Sequence, residues 1–215
     1  MNNKDKIILD LCSGTGAWSK PYRDAGYDVR VITLPEYDVR RAFTAVGGYF
    51  FRSEVGNREM DIVIKDIYGI LAAPPCTMFS LARTTAKTPR DFEEGMEPVE
   101  ACMQIIWNIR KKTKLTFWAL ENPMGYLRQF LGNPIYTFDP SQFGETYNKT
   151  TDLWGYFKPP RRKKKKGYFA ETEDNTRQLP DIPGDYIKDK RMTDLQIKRS
   201  ITPSRFAQAF FEANQ

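Results

Sequence analysis

Two short segments of the chain combine residue types that could carry out covalent chemistry. Cys76 follows Ala73-Pro74-Pro75 at the end of an apolar run, a position suited to a nucleophile. Glu121 and Asn122 follow the next apolar run, where a carboxyl group could protonate whatever Cys76 attacks. The chain contains no histidine, so the commonest general base is absent. If the chain is an enzyme, a thiolate and carboxylates must carry the chemistry.

A third segment, residues 10–16, predicts a glycine-containing turn after a strand. Gly14 and Gly16 let the backbone bend tightly and approach a ligand, and the following helix offers free N–H groups to an anion. Plain strand–helix turns have the same spacing. Asp10 at the strand end is unlike a phosphate-binding loop, and it suggests a ligand with a cationic group, such as the amino group of a methionine moiety.

The three cysteines differ in their sequence surroundings. Cys12 lies in the turn and Cys102 on an apolar helix face, so both are interpreted as structural thiols. Residues 77–80 after Cys76 could begin a helix, whose N-terminus would lower the pKa of the thiol. Glu121 follows an apolar strand end, and partial burial there would raise its pKa and let it act as an acid near neutral pH.

Alternating strand and helix patterns must position these segments. Apolar runs predict strands at residues 6–11, 29–34, 67–73 and 115–120. Such units predict an α/β fold with a mostly parallel sheet and helices on both faces. All three segments follow strand ends, where ligands bind in sheets of this kind.

Helical patterns fill most of the intervals between the predicted strands. Residues 17–25 predict a helix that ends at Gly26, and residues 99–109 bury one face of another. Residues 42–60 fit a helix followed by a loop. Residues 202–211 read as a capped helix that packs back on the core.

Composition and length indicate a globular protein with one main domain. The chain has 215 residues, of which 40% are hydrophobic and 28% charged, and no apolar stretch long enough to span a membrane. Three widely spaced cysteines and the absence of a signal peptide predict a cytoplasmic protein. We expect no metal site, because no Cys-x-x-Cys pair occurs, and a monomeric chain.

The net charge of +6 is concentrated in the basic run at residues 161–166, which aromatic residues flank. Such a run can be a solvated loop, but its mixture of aromatic and basic residues favours contact with nucleic acid. The composition changes predict three parts. These are a catalytic and cofactor-binding domain at 1–155, a small basic and aromatic target-recognition lobe at 156–191, and a C-terminal segment at 192–215 that packs back on the domain.

The motifs together resemble the cytosine-C5 DNA methyltransferases, in particular a compact, phage-type branch. Residues 10–16 resemble that family's D-L-F-S-G-x-G motif, residues 73–76 its Pro-Cys motif, and residues 121–123 its Glu-Asn-Val motif. Residues 142–155 look like the compact branch's form of the Gln-x-Arg-x-Arg region. Residues 200–209 stand where the last motif folds back to the cofactor.

The resemblance implies a Rossmann-like methyltransferase fold with S-adenosylmethionine as cofactor. The cofactor-binding positions it implies are Asp10, Cys12, Ser13, Gly14, Thr15, Gly16, Trp18, Thr33, Leu34, Glu36, Asp38, Pro74, Ser200 and Thr202. It also implies that the Cys76 thiolate adds to C6 of cytosine while Glu121 protonates N3 or hydrogen-bonds to it. C5 then takes the methyl group, and Cys76 is eliminated. Asn122 would brace the cysteine loop, and Lys149 would hold the base or a phosphate.

The implied partner is DNA, from which the target base is flipped out or already unpaired. The implied nucleic-acid contacts are Ser80, Arg83, Lys149, Thr151, Arg161, Arg162, Lys163 and Lys164. The resemblance also implies a bacterial or phage-infected cell, and it requires neither histidine nor metal.

Several positions depart from the family pattern. Cys12 replaces an aromatic residue, and Thr33 or Leu34 stands where a ribose-binding carboxylate belongs, with Glu36 as the nearest acid. Lys149 and Thr151 replace arginines. The lobe has only about 35 residues, short even for a small domain. RNA or a free cytosine nucleotide therefore stays open as the substrate, and so does a non-catalytic DNA-binding relative.

Overall fold

The chain folds around a six-stranded sheet in the computed structural model, which describes residues 2–45, 47–84, 86–163, 179–184, 186–190 and 192–215. The strands of these residues are β1 (Ile7–Leu11), β2 (Asp28–Ile32), β3 (Phe43–Ala45), β4 (Gly48–Arg52), β5 (Glu59–Val63), β6 (Ile67–Ala72), β7 (Phe117–Pro123), β8 (Tyr136–Phe138) and β9 (Thr151–Tyr156). The α-helices are α1 (Lys20–Asp24), α2 (Phe92–Lys112), α3 (Arg128–Leu131), α4 (Asp194–Ser200) and α5 (Ser204–Ala213).

The large sheet has the strand order β2-β1-β6-β7-β9-β8. Its first four strands are parallel, whereas β9 runs antiparallel to β7 and β8 antiparallel to β9. All five residues of β1 are buried, as the continuous apolar run of a central strand requires. The predicted α/β class and mostly parallel sheet are confirmed, and the arrangement is compatible with a Rossmann-like fold.

Helices cover both faces of this sheet, because successive side chains of a strand point to opposite faces. On one face, Leu9 belongs to the core cluster that contains the buried side of α2. On the other face, Ile8 belongs to a cluster that contains residues of α1 and α5. The α5 residue Phe210 packs edge-on against Trp18, with ring centroids 5.4 Å apart, so the C-terminal helix contacts the segment that leads into α1.

Residues 42–60 correct the sequence prediction of a helix and a loop. This stretch contains β3, β4 and the start of β5, which form a separate antiparallel sheet in the order β3-β4-β5. Tyr49, Phe51 and Ile62 are buried and join the core on the α2 side. Their alternation with more exposed neighbours has the two-residue period of a strand.

Three predicted boundaries also differ from the structure. The first helix is only Lys20–Asp24, because turns occupy the residues before it and Gly14 and Gly16 both adopt positive φ. The strand predicted to end at residue 120 continues to Pro123, because β9 pairs with it as far as Thr151. The last helix begins at Ser204, with Pro203 at its N-cap and no capping side chain.

Candidate active site

The carboxyl ends of β1, β6 and β7 bring the three chemically suggestive segments to one edge of the sheet. Asp10 of β1 pairs in register with Leu71 of β6, and Ala72 of β6 pairs with Leu120 of β7. The segment with Cys76 therefore leaves the sheet beside Glu121. This is the edge at which open α/β sheets bind ligands.

Cys76 lies half-buried in a loop of turns after β6. Its carbonyl oxygen accepts hydrogen bonds from the backbone N–H groups of Phe79 and Ser80, at 3.0 and 2.8 Å. These contacts close tight turns and not a helix, so the prediction of a helix N-terminus at this point is wrong.

The electrostatic environment of Cys76 also differs from the prediction. Burial raises the pKa of its thiol, the charge of Lys149 lowers it, and the charge of Glu121 raises it. The expected helix that would have lowered this pKa is absent from residues 77–80. Lys149 is therefore the charge that favours the thiolate.

Glu121 lies half-buried within β7, beside the cysteine loop. Burial raises the pKa of its carboxyl group, Lys149 lowers it, and Asp152 raises it. The direction agrees with the sequence prediction that partial burial raises this pKa. The raised pKa extends the pH range in which Glu121 keeps its proton.

Lys149 completes this group from the loop that precedes β9. Its Nζ donates a hydrogen bond to the carbonyl oxygen of Arg199 in α4, at 3.2 Å. Its charge acts on both Cys76 and Glu121, so the three side chains are electrostatic neighbours. Thr151 is buried and donates from Oγ1 to the carbonyl oxygen of Lys149, at 2.7 Å. Thr151 thus fixes the backbone that carries this lysine.

Asn122 fixes the cysteine segment from the neighbouring strand. It is fully buried in β7, and its Nδ2 donates to the carbonyl oxygen of Pro74 at 3.0 Å. Pro74 is also buried and lies two residues before Cys76. The contact joins the cysteine segment to β7, and a bracing role for Asn122 in catalysis stays a prediction.

Arg90 holds the other side of the cysteine loop and carries no sequence signal of its own. Its Nη1 donates to the carbonyl oxygen of Met78 at 2.8 Å, and its Nη2 donates to that of Ser80 at 2.9 Å. The guanidinium group stacks over the ring of Tyr126, 4.8 Å from the centroid. Gly125 and Ser80 form a bridge so close that a Cβ on Gly125 would lie 2.2 Å from the Phe79 carbonyl oxygen.

The loop after β1 contains several buried polar atoms. Its path requires left-handed backbone at Cys12, Gly14 and Gly16, which have φ of 60°, 62° and 67°. Among the described residues, four buried atoms of the loop and its flanks have no hydrogen-bond partner. They are Asp10 Oδ1, Ser13 Oγ, Thr15 Oγ1 and Trp18 Nε1. Because buried polar groups are usually paired, the polar atoms of Asp10, Ser13 and Thr15 are suited to a polar ligand, whereas Trp18 lies in the aromatic core beside α5.

Asp10, near the end of β1 and just before this loop, is fully buried. Its Oδ2 accepts a hydrogen bond from Ser19, and the hydroxyl group of Ser13 lies near the same carboxyl group. Burial raises its pKa to about 6, although Ser19, Ser13 and Arg23 oppose the rise. The buried carboxylate thus carries a negative charge above that pH, which a ligand cation would stabilise.

A cavity of about 220 Å³ lies beside the loop, at the end of β2. Five of the positions implied by the resemblance line it, namely Gly14, Thr15, Thr33, Leu34 and Glu36. Thr33 Oγ1 accepts from the backbone N–H of Gly14 at 3.2 Å, which joins β2 to the glycine loop. Tyr186 and Ile187 form another wall, and sequence reasoning missed both because no motif surrounds them.

Two acids near this cavity have different partners. Glu36 lines the cavity, and its Oε1 lies 2.7 Å from Nη2 of Arg58. Asp38 lies outside the lining and caps the turn Val39–Arg41, and Arg40 binds its carboxylate through both Nε and Nη2. Glu36 is thus the better placed of the two to meet a ligand in the cavity.

Of the remaining cofactor positions that the resemblance implies, some lie around the glycine loop and Trp18 lies in the core. Trp18 is buried in the aromatic core beside α5. Cys12 is half-buried, with its Sγ 3.9 Å from Sγ of Cys102. A Cβ on Gly14 would lie 4.0 Å from Ser200 Oγ and from Tyr186 OH, so the end of α4 approaches the glycine loop. Thr202 lies half-buried between α4 and α5.

The implied nucleic-acid contacts fall into two groups. Ser80 and Arg83 lie in the loop after Cys76, and the guanidinium group of Arg83 donates to Thr88 and to the carbonyl oxygen of Pro89. Arg161, Arg162 and Lys163 are exposed after β9. Lys164, and with it residues 164–178, 185 and 191 of the predicted lobe, lie outside the described residues.

The described residues contain neither a membrane-spanning helix nor a metal-binding cluster. No helix among them is long and apolar enough to cross a membrane. Within the same ranges, no group of three or more cysteine, aspartate or glutamate residues is placed to hold a metal ion.

Comparison with protein families and with curated proteins gives no match. No family model matches the chain, and no curated protein matches it. The functional interpretation therefore depends on the short motifs and on the geometry of this edge of the sheet.

Proposed function

We propose that the chain is a DNA methyltransferase that transfers a methyl group from S-adenosylmethionine to C5 of cytosine. One observation carries the proposal. The electrostatic neighbours Cys76, Glu121 and Lys149 lie at the same sheet edge as the glycine loop with its unpaired buried polar atoms. A nucleophile, an acid and a polar site for the cofactor are the parts that this reaction requires.

The charges of the three side chains favour one protonation state. Lys149 stabilises a Cys76 thiolate, whereas an ionised Glu121 would repel it. Burial favours the neutral form of Glu121, which removes this repulsion and leaves a proton available to a substrate. Burial nevertheless raises the pKa of Cys76 overall, so its thiolate forms by loss of a proton to solvent. A neutral Glu121 beside the Lys149 ammonium group is the arrangement that opposes this ionisation least.

This combination accounts for each bond change at the cytosine ring. The Cys76 thiolate forms a bond to C6 while Glu121 gives its proton to N3, which makes C5 nucleophilic. C5 would then form a bond to the methyl carbon as the bond from that carbon to sulfur breaks, which releases S-adenosylhomocysteine, and C5 would lose its own proton to a water molecule. The electron pair of the broken C5–H bond expels Cys76 as thiolate, and the N3 proton returns to Glu121. Asn122 and Arg90 hold the cysteine loop on its two sides during these steps.

The residues around the glycine loop fit S-adenosylmethionine. Asp10 would accept its amino group, while Ser13, Thr15 and the Gly14 loop offer polar atoms to its other groups. Glu36 stands in the cavity beside Thr33 and would accept ribose hydroxyl groups in place of the absent strand-end acid. When bound, the cofactor supplies an electrophilic methyl group.

The recessed position of the site supports a flipped or unpaired target base. Cys76 and Glu121 are half-buried at the sheet edge, so a base stacked within a duplex would not reach them. An unpaired base in RNA could reach the same position, so methyl transfer to DNA and to RNA must be compared.

A covalent trap tests the proposal. Duplex DNA with 5-fluorocytosine at many sites is incubated with the protein and cofactor, because fluorine at C5 blocks the final elimination. We expect a complex that survives denaturing electrophoresis and whose peptide map places the adduct on Cys76. Cys76→Ser should abolish the complex, whereas Cys102→Ala should retain it, since Cys102 is buried behind the sheet in the α2 core.

Parallel reactions with cytosine-containing RNA and with dCMP compare the substrate classes by transfer of labelled methyl groups. Transfer to duplex DNA above the other two supports the proposal. Transfer confined to RNA or dCMP, or the absence of both a trapped complex and methyl transfer, would overturn it.

A further inference from the structure

A second cavity, separate from the glycine loop, opens between residues 161–163 and the C-terminal helix α5. This cleft has a volume of about 780 Å³. Arg161, Arg162 and Lys163 form one side, and Arg205 belongs to the first turn of α5 on the other. Four cationic side chains thus face one cleft, whose lining contains one acid, Glu212.

Neutral groups hold two of these cations in place. Arg162 donates from Nη2 to the carbonyl oxygen of Thr137 at 2.6 Å and from Nε to the hydroxyl oxygen of Tyr136 at 3.2 Å. Arg205 donates from Nη1 to the carbonyl oxygen of Gly144 at 2.7 Å. These partners orient the guanidinium groups without cancelling their charge. The two side chains are therefore already ordered in the free protein, and a ligand that binds them causes little further loss of conformational entropy.

The nearby carboxylates are engaged elsewhere. Glu145 Oε1 accepts from the backbone N–H of Arg205 at 3.2 Å, where it occupies the start of α5. Glu212 Oε1 accepts from Nε2 of Gln208 at 3.0 Å. Among the described residues, neither Arg162 nor Arg205 forms a side-chain ion pair with a carboxylate. The cleft therefore keeps a positive field.

We propose that this cleft binds the phosphodiester backbone of DNA outside the catalytic site, with α5 as one of its walls. Arginine forks suit phosphate oxygens, and backbone contacts set the position of a protein on DNA without reading its sequence. The volume suits a stretch of phosphates and sugars better than a single small anion. Arg205 binds Gly144, which lies in the same loop as Lys149, so a bound strand would run toward the catalytic group.

This inference rests on the proposed function for the identity of the polyanion, and it gives the C-terminal helix a role beyond packing. Phe206 and Phe210 face the core, whereas Arg205 and Gln208 are exposed on the opposite side of the helix. The two sides of α5 can therefore be varied separately.

Salt-dependent binding of a fluorescein-labelled 30-base-pair duplex to the full chain tests the cleft. The triple variant Arg161→Gln, Lys163→Gln, Arg205→Gln keeps Arg162 and its contacts with β8. We expect weaker binding, and a slope of log affinity against log salt that is reduced by up to about 2.7, at about 0.9 for each lost phosphate contact. Gln208→Lys adds a cation to the cleft and should strengthen binding and steepen the slope.

The matched control is Arg52→Gln, Lys112→Gln, Lys65→Gln, which removes the same charge from β4, α2 and the turn after β5. It should bind DNA nearly as the wild type does. Equal losses in the two triple variants, or an unchanged slope in the cleft variant, would overturn the inference. Thermal unfolding of each variant shows that the differences do not arise from misfolding.

The covalent trap separates this inference from the proposed function. A wild-type protein that traps 5-fluorocytosine, together with an unaffected cleft variant, contradicts the inference alone. A cleft variant that loses DNA binding, while the wild type forms no adduct and transfers no methyl group, contradicts the proposed function and supports the cleft as a DNA-binding surface.

Discussion

Asn122 Nδ2 donates a hydrogen bond to the carbonyl oxygen of Pro74, at 3.0 Å and across 48 residues of sequence. Both residues are buried, so water does not replace the contact. The bond joins β7, which carries Glu121, to the segment that carries Cys76. It therefore fixes the candidate acid relative to the candidate nucleophile.

Asn122→Ala should reduce methyl transfer about 100-fold, because a small misplacement of the nucleophile is enough for such a loss. It should also lower the free energy of unfolding by about 1–3 kcal/mol, the cost of a buried carbonyl without its donor. Single-turnover kinetics and urea unfolding measure the two effects. Asn133→Ala, at an exposed position between α3 and β8, is the control. Full activity in Asn122→Ala would contradict the assigned brace.

Arg90→Lys should lower the rate of methyl transfer by about tenfold while cofactor affinity is retained. The lysine keeps the charge but loses the fork that binds the carbonyl oxygens of Met78 and Ser80. Single-turnover rates and cofactor calorimetry measure the two quantities. Arg110→Lys, in the last turn of α2, is the matched control and should leave both unchanged. A loss of cofactor binding in Arg90→Lys would show that its role is not confined to the cysteine loop.

The sequence predicted the strands better than the elements between them. Continuous apolar runs identified β1, β6 and β7, because strands in the middle of a parallel sheet are buried on both faces. The edge strand β2 was also predicted, although most of its residues are only half-buried. The small β3-β4-β5 sheet was missed, because its short strands are only half-buried and their alternation is weak. The first predicted helix is shorter than expected, because turns occupy residues 14–19. Gly14 and Gly16 adopt positive φ there, which an α-helix does not allow.

The candidate site was predictable where a reactive residue closely follows a predicted strand, as Cys76 and Glu121 do. The contacts of Arg90 and Tyr186 were not, because both residues reach the site through tertiary structure and neither belongs to a motif. The pKa of Cys76 was predicted in the wrong direction, since the expected helix after it is replaced by turns in a desolvated loop. The sequence identifies Cys76 and Glu121 as candidates, but their pKa values depend on burial and on the position of Lys149, which only the structure shows.

The reactivity of Cys76 should respond in opposite directions to its two charged neighbours. Iodoacetamide alkylates the thiolate, so the pH midpoint of alkylation follows the pKa of Cys76. Glu121→Gln removes a negative charge and should shift the midpoint to lower pH, while Lys149→Met removes a positive charge and should shift it to higher pH. Peptide-resolved mass spectrometry separates Cys76 from the other two thiols.

Lys112→Met is the charge-matched control for this titration, because its exposed side chain lies at the end of α2 and outside the site. It should leave the midpoint unchanged. Shifts of the same sign for Glu121→Gln and Lys149→Met would contradict the electrostatic arrangement, whatever the effect of either variant on catalysis.

Asp10 should make the free energy of unfolding fall as the pH rises. Most acids in ion pairs have the opposite effect, because their pKa values are lowered by folding. Its pKa rises from 3.8 in the reference state to about 6 in the folded chain, so the folded state binds more protons between these values. The contribution of Asp10 to stability is therefore fully present below pH 3.8 and is lost as the pH rises through about 6. At neutral pH the buried carboxylate costs on the order of 3 kcal/mol.

Asp10→Asn removes this ionisation with little change in shape. Relative to the wild type, its free energy of unfolding should rise between about pH 4 and pH 7, by an amount on the order of 3 kcal/mol. Urea unfolding at several pH values measures the difference, and Asp61→Asn, at an exposed position in β5, should run parallel to the wild type. The same Asp10 variant should bind S-adenosylmethionine more weakly, because it cannot pair with a cationic amino group. A stabilised protein with impaired cofactor binding would identify Asp10 as a residue retained for its ligand at a cost to the fold. A parallel pH dependence with unchanged cofactor affinity would instead make it a structural acid.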